Sequence, residues 1–237
     1  MKSVKLNEYL NSIDYPGRGI AIGRTPCGKK MRIAYWIMGR SVNSQNRVFV
    51  EEDGGIRTQA YDPSKLEDPS LIIYSPVRVI KGNTIVTNGD QTDTIYDYLA
   101  NDMSFEEALK TRTFEPDGPN YTPRISSLIE RDNYYMSILK SGDGNGDYVY
   151  RQFFNYVHAQ NGKGHVIHTY MHDGNPLPSF EGEPVLFDVD HMPLEEFSEM
   201  VWNSLNPEYR VSLFVRSINI ENGETKTIVV NRHSEEK

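Results

Sequence analysis

Apolar and polar positions along this chain fall mostly into short, strand-length runs joined by turn residues. Gly19 to Gly23 (GIAIG) and Met31 to Met38 (MRIAYWIM) are apolar and partly β-branched or aromatic. A turn containing Pro26 and Gly28 separates them, which predicts a hairpin. VRVI and TIVT on either side of Lys81 to Asn83 predict a second hairpin, and YYMSILK and YVYRQFF around SGDGNGD a third. Near the C-terminus, YRVSLFVRSINI and TKTIVVNR enclose Asn222-Gly223, the strongest short turn dipeptide. Helical spacing is rarer. Ile95, Leu99 and Met103 recur at i, i+4 and i+8 after the capping candidates Thr92 and Asp93, and Ser104 to Glu107 is a capping box that opens SFEEALKTR. A third helix is predicted from Pro193, with Glu195 and Glu196 in its positive first turn and Leu194, Phe197, Val201 and Leu205 on one stripe. The pattern is α+β and rich in antiparallel pairs. With no break in composition and no repeat of solenoid length, residues 1–237 are expected to form a single domain.

Composition narrows the functional classes. A chain of 237 residues, 38% hydrophobic and 11% aromatic, can bury a core without staples. No apolar run approaches the ~20 residues of a membrane helix, so no membrane partner is expected. The N-terminus lacks the apolar stretch and small-residue cleavage site of a secretory signal, and Cys27 is the single cysteine; both fit a reducing cytoplasm. A formal net charge of −8, without a basic stripe, argues against nucleic acid. A small anionic ligand stays open, because a few converging arginines can dominate a local field.

Several motifs fail on geometry. Asp143 to Asp147 (DGNGD) begins like a calcium loop, but its sixth and twelfth positions are Tyr148 and Phe154, where that loop needs glycine and an acid; a hairpin turn is expected instead. His165, His168 and His172 lie in a β-like run, where residues three apart point to opposite faces, so no metal site is expected. Cys27 has only Lys29 and Lys30 nearby to activate it and reads as a turn residue. The phosphate-cradling patterns GxGxxG and GxxxxGK[ST] are absent.

Three polar segments remain. GRSVNSQNR (residues 39 to 47) sets Arg40 and Arg47 among hydroxyl and amide donors, suited either to a phosphate or carboxylate or to a solvated loop. TNGDQTDTI (residues 87 to 95) places Asn88, Asp90 and Asp93 at a strand-to-helix junction, where helix amides favour an anion or are simply capped. FEPDGPNYTPRI (residues 114 to 125) brackets three prolines between Glu115 and Arg124, a stiff connection between a helix and a strand. Tyr74, in LIIYSPVRV, follows three apolar residues of an expected buried strand.

In order, GR, IGR, GRSVNSQNR, LIIYSPVRV, TNGDQTDTI and FEPDGPNYTPRI resemble the archaeal-type inosine monophosphate (IMP) cyclohydrolase family, from about Tyr15 to Ile129. The resemblance is most specific at NGxxTDTI and TPRI, and residues 130–237 are assigned by continuity. It implies a four-layer αββα sandwich of mainly antiparallel sheets, like the Ntn hydrolases but without their N-terminal nucleophile. It also implies closure of 5-formamidoimidazole-4-carboxamide ribotide (FAICAR) to IMP, the last step of purine biosynthesis, with no cofactor and no metal. By the same resemblance Glu115 is the catalytic base, Tyr74 polarises the formyl oxygen or donates a proton, and Arg40 and Arg47 hold the ribose phosphate. Arg124 orients Glu115 or touches substrate, and Asn88 and Asn120 are weaker candidates to hold the base. Trp36 stands where the family has a basic residue, and the segment after Arg47 reads as longer. The second class is a catalytically silent protein that binds purine nucleotides on the same fold. A separate formyltransferase is expected, and the oligomeric state, a homo-oligomer included, is left open.

Overall fold

The computed structural model describes residues 2–66 and 73–234. One seven-stranded sheet has the order β1 (Val4–Lys5), β12 (Val185–Asp188), β11 (Lys163–His168), β2 (Gly19–Arg24), β3 (Lys30–Met38), β13 (Arg210–Asn219), β14 (Thr225–Asn231). The other has the order β10 (Val149–Tyr156), β9 (Asn133–Ser141), β8 (Arg124–Glu130), β7 (Asn83–Thr87), β6 (Val77–Ile80), β5 (Gly55–Ala60), β4 (Arg47–Glu52). All neighbours pair antiparallel except β1 and β12. Five α-helices, α1 (Leu6–Asn11), α2 (Val42–Gln45), α3 (Gln91–Ala100), α4 (Phe105–Lys110) and α5 (Leu194–Ser204), and two single 3-10 turns, Pro63–Lys65 and Arg232–Ser234, complete the elements of the described residues. The fold is therefore α+β with mostly antiparallel sheets and few helices.

All four predicted hairpins form. A fifth, β4–β5, occupies the segment that reads as longer; its turn residues Asp53 and Gly54 have φ of 48° and 73°, the left-handed pair that matches strand twist.

Strand alternation divides the core. Ile20, Ile22, Ile33 and Tyr35 of the first sheet share one buried cluster with Val86, Ile125, Met136 and Ile138 of the second. Their neighbours Ala21, Ala34 and Trp36 face a different cluster, filled by Leu6 and Leu10 of α1 and by Phe197 and Val201 of α5. Ile85, Leu128 and Leu139 of the second sheet pack with Ile95 of α3 and with Phe105 and Leu109 of α4. Trp36 thus points away from Tyr35, and its ring fills the space a side chain on Gly19 would need, 1.9 Å from that glycine's would-be Cβ.

The structure corrects three expectations. Asp90 stands at the cap position of α3, and Thr92 and Asp93, the expected caps, lie inside the helix. Met103 is not part of α3; the helix stops at Ala100, Asp102 takes a left-handed φ of 58°, and Met103 is 42% exposed. Tyr74 is buried but precedes β6 rather than lying in a strand, and two of its preceding apolar residues, Leu71 and Ile72, lie outside the described residues. Its backbone is tied to Thr58 instead, amide to Oγ1 at 2.8 Å and carbonyl to the Thr58 amide at 2.9 Å. α1 was not foreseen: six residues long, it shows only Leu6 and Leu10 as an apolar signal. Among the described residues no helix is long and apolar enough to cross a membrane.

Candidate active site

Glu115 lies in the connection from α4 to β8. The connection folds back on itself: the Asp117 carboxylate accepts from the Thr122 amide at 2.7 Å and from its hydroxyl at 2.5 Å, and the Glu115 amide donates to the Thr122 carbonyl at 2.9 Å. This leaves Glu115 only 3% exposed. Arg18, immediately before β2, answers it with Nη2 donating to Oε1 at 2.7 Å. Asn88 adds a weaker contact to the same oxygen at 3.4 Å, donates to the Pro123 carbonyl, and accepts from the Ile125 amide and from Gln91. Both donor hydrogens and both acceptor positions of its amide are thereby engaged, so Asn88 fixes the carboxylate and the loop rather than offering itself to a ligand.

Burial raises the Glu115 carboxyl above the ordinary glutamate range, and the Arg18 and Arg124 guanidiniums oppose the rise. Burial pulls Arg18 down, but its surroundings, the Glu115 carboxylate foremost, together more than offset this and Arg18 stays firmly cationic. The Nε of Arg18 is buried with no partner among the described residues, a donor still to be used.

The Tyr74 hydroxyl lies 2.9 Å from that of Tyr35, which β3 projects into the cluster between the sheets. Burial raises Tyr74, while the charges of Arg47 and Arg18 pull against it. Arg47 is 3% exposed and anchored by the carbonyls of Ser44 at 2.7 Å and Met38 at 3.3 Å. Much of the polar run before it is spent locally. Ser41 and Ser44 form the capping box of α2, Gln45 donates to the Gly39 carbonyl, and Asn46 donates to the Asp62 carbonyl. Arg40 lies at the surface, bonded to Asp173 at 2.5 Å and stacked 5.2 Å over the Tyr15 ring. Tyr15 feels Arg18, Arg47 and Arg40 together, all opposing the rise that burial imposes on its hydroxyl. Three guanidiniums therefore act on one buried neighbourhood.

Arg124 is held by Asp90 and Gln91, each at 2.7 Å, while Arg112 pairs with the other oxygen of Asp90 at 2.5 Å. The anion at the start of α3 is thus the protein's own Asp90. Gly89 lies close beside it, and a Cβ there, 2.4 Å from Arg124 Nη1, would push the guanidinium aside. Asn120 accepts from the Leu177 amide at 3.0 Å and ties the loop to the segment after β11.

Sequence reasoning brought Glu115, Tyr74, Arg47, Arg124 and Asn88 to one neighbourhood and missed Arg18, Tyr35 and Tyr170 as members. Arg18 stands in one of the quoted motifs, the GR before β2, yet nothing local says that its partner lies 97 residues away. Tyr35 reads as one more apolar strand residue. Tyr170 carries no signal; its hydroxyl meets Thr122 Oγ1 at 2.5 Å, and the charge of Arg18 opposes the rise that burial imposes on it.

The histidines do not converge. His165 meets the Tyr134 hydroxyl at 2.5 Å and stacks on Tyr156, whereas His168 meets Tyr9 at 2.7 Å on the α1 side. Among the described residues no group of three or more His, Cys, Asp or Glu could hold a metal. The Asp143 loop is a turn, its carboxylate accepting from Ser141 and the Asn145 amide.

A family model described as "IMP cyclohydrolase-like protein" matches residues 15–224. The chain belongs to the IMP cyclohydrolase-like family. The match spans Arg18, Tyr74, Glu115 and Tyr170 and continues through β13, far past Ile129. Among curated relatives, an IMP cyclohydrolase of Methanopyrus kandleri is 28% identical over 181 residues, 70% of this chain and 89% of the relative. One from Methanocaldococcus jannaschii is 25% identical over 79% of this chain and 90% of its own length. For one from Methanococcus maripaludis the figures are 30% identity, 54% of this chain and 65% of the relative, so the chain spans under two thirds of that protein.

Proposed function

We propose that this protein is an IMP cyclohydrolase, closing FAICAR to IMP with loss of water. The observation that carries the reading is the buried Arg18–Glu115 pair at 2.7 Å beside the Tyr35–Tyr74 hydroxyl pair at 2.9 Å, the tyrosines lying under the charges of Arg18 and Arg47. The substrate holds nucleophile and electrophile in one molecule, so the enzyme need only fix rotamers and move protons.

In this reading Glu115 takes a proton from the carboxamide nitrogen as that nitrogen attacks the formyl carbon, and delivers it to the formyl oxygen. The product of this step is the cyclic carbinolamine. Glu115 then takes the proton of the former formamide nitrogen and returns it to the departing hydroxyl, which leaves as water. A carboxyl raised by burial suits both transfers near neutral pH. With Tyr35 donating to Tyr74, the Tyr74 hydroxyl is free to hold the formyl oxygen. Because burial raises its pKa, Tyr74 stabilises developing charge by hydrogen bonding instead of surrendering its proton. Arg47 and Arg40 hold the ribose phosphate, the open Nε of Arg18 supplies a further donor, and Arg124 orients Glu115 by its charge. Asn88 positions Glu115, and Asn120 anchors the loop.

The same proposal reads the architecture as a single domain and a four-layer αββα sandwich of the Ntn-hydrolase kind. Its support is the shared cluster between the sheets together with the separate helix-bearing cluster on each. A cytoplasmic setting goes with a biosynthetic role. The test is acceleration of IMP formation from freshly prepared FAICAR over the spontaneous rate, followed by ultraviolet absorbance. Acceleration supports the enzyme; tight IMP binding without it establishes the silent nucleotide binder.

A further inference from the structure

Arg18 sits just before β2, and the turn that follows β2 leads to a second buried guanidinium. Arg32, on β3, is 8% exposed; its Nη2 donates to the Met192 carbonyl, while Nε and Nη1 are buried with no partner among the described residues. Leaving a buried donor unmade costs about 1–3 kcal/mol, and more on a charged group. Arg32 faces a cavity of about 410 Å³ that it lines with Thr25, Cys27, Lys30, Ser217 and Lys226, and the start of α5 closes another side. The cap residue of that eleven-residue helix, Pro193, supplies no side-chain hydrogen bond to the first-turn amides. Acids are present: Glu195 engages Lys226, and the charge of Glu196 acts on Arg32. Neither contacts Arg32 or Lys30 in an ion pair among the described residues. Two cations therefore meet at a roomy cavity in a chain whose net charge is −8.

We propose that this cavity is a second ligand site, separate from the Glu115 centre, for a small organic oxyanion carrying a phosphate or a carboxylate. The oxyanion accepts from the open N–H groups of Arg32, with Lys30 and the amides at the start of α5 completing the hold. Met192 and Leu194 supply apolar wall for the rest of the ligand. The volume is in the range of small-molecule sites, roughly 300–1,000 Å³.

Cys27 makes the test direct. It is the chain's single cysteine, exposed, on the cavity wall, and its thiol is pulled below the ordinary range chiefly by its hydrogen bond with Thr25 at 3.3 Å. The full chain is alkylated with N-ethylmaleimide at fixed ionic strength in rising inorganic phosphate and, separately, in rising citrate. The expected result is saturable slowing by one of them, which names the oxyanion. Half-saturation rises about tenfold in Lys30→Met and in Arg32→Met, the loss of one charge-assisted contact, and is unchanged in Arg40→Met at the other end of the hairpin. Circular dichroism checks the fold of Arg32→Met; exposed Lys30 decides the matter if that variant unfolds. No slowing by either anion, or slowing that survives Lys30→Met undiminished, overturns the proposal.

Discussion

Arg18 and Arg32 lie toward opposite ends of one hairpin and differ in what answers their charge. Arg18 has a buried carboxylate at 2.7 Å, whereas Arg32 has one backbone carbonyl as its hydrogen-bond partner, the Phe197 ring 5.4 Å away and no ion pair among the described residues. Both guanidiniums keep open donors, but only the first belongs to a network in which base, tyrosine pair and further arginines act on one another. The difference teaches how to sort buried charge. A matched pair holds a reactive group in place; an unmatched cation marks room for an anion the protein does not itself supply.

The largest effect expected to separate them is on stability. Arg18→Met strands the Glu115 carboxylate and should cost about 3–5 kcal/mol in urea unfolding, part of it recovered in the Arg18→Met, Glu115→Gln double variant. Arg32→Met strands no partner and should cost clearly less. Equal losses would erase the distinction.

His168 extends the comparison to a buried base with no carboxylate among its hydrogen-bond partners. Burial pulls it down to about 4, below its unfolded value near 6.5. The unfolded chain therefore binds more protons across that window, and stability is lost as pH falls through it, by at most about 3 kcal/mol, whereas above 6.5 the term is flat. Urea midpoints at pH 7.0 and 4.5 in wild type and His168→Gln measure it; a wild-type acid loss no larger than the variant's would remove His168 as its source.

A smaller effect concerns the rate. Because Glu115 must be ionised to act, kcat/KM should fall as pH drops through a midpoint above the ordinary glutamate value of about 4.3, and the midpoint should climb further in Arg18→Lys as the fixed pair loosens. A midpoint at or below the ordinary value would contradict the burial argument. The smallest effect is at the surface: Arg40→Met should change stability by less than about 1 kcal/mol, because its pair with Asp173 is solvent-exposed, while raising KM if Arg40 holds the phosphate. Unchanged KM would remove Arg40 from the binding role.

The sequence made the hairpins legible because period-two alternation and turn residues are local signals. The two helix-bearing faces were partly legible: α4 announces itself through its Ser104–Glu107 capping box, and α3 and α5 through apolar spacing, whereas α1 offers only Leu6 and Leu10 and is held by packing under the first sheet. Met103 kept the helical period but not the helix, because a left-handed Asp102 ends the path before it. At the site, Glu115 and Tyr74 were reached through resemblance. The pairings that give them meaning are non-local: Arg18 with Glu115 across 97 positions and Tyr35 with Tyr74 across 39. Asn88 was a ligand candidate through the same resemblance, and only the folded structure reveals that all its hydrogen-bonding capacity is spent inside the protein.

The central claim is that Glu115 moves the protons while Tyr74 holds the formyl oxygen. Single-turnover cyclisation of FAICAR by wild type, Glu115→Gln and Tyr74→Phe, corrected for the spontaneous rate and paired with IMP binding by calorimetry, tests it most directly. The account predicts that Glu115→Gln loses about 10²–10⁴-fold in rate, that Tyr74→Phe also loses rate but by a smaller factor, and that both still bind IMP. Full-speed cyclisation by Glu115→Gln would contradict it.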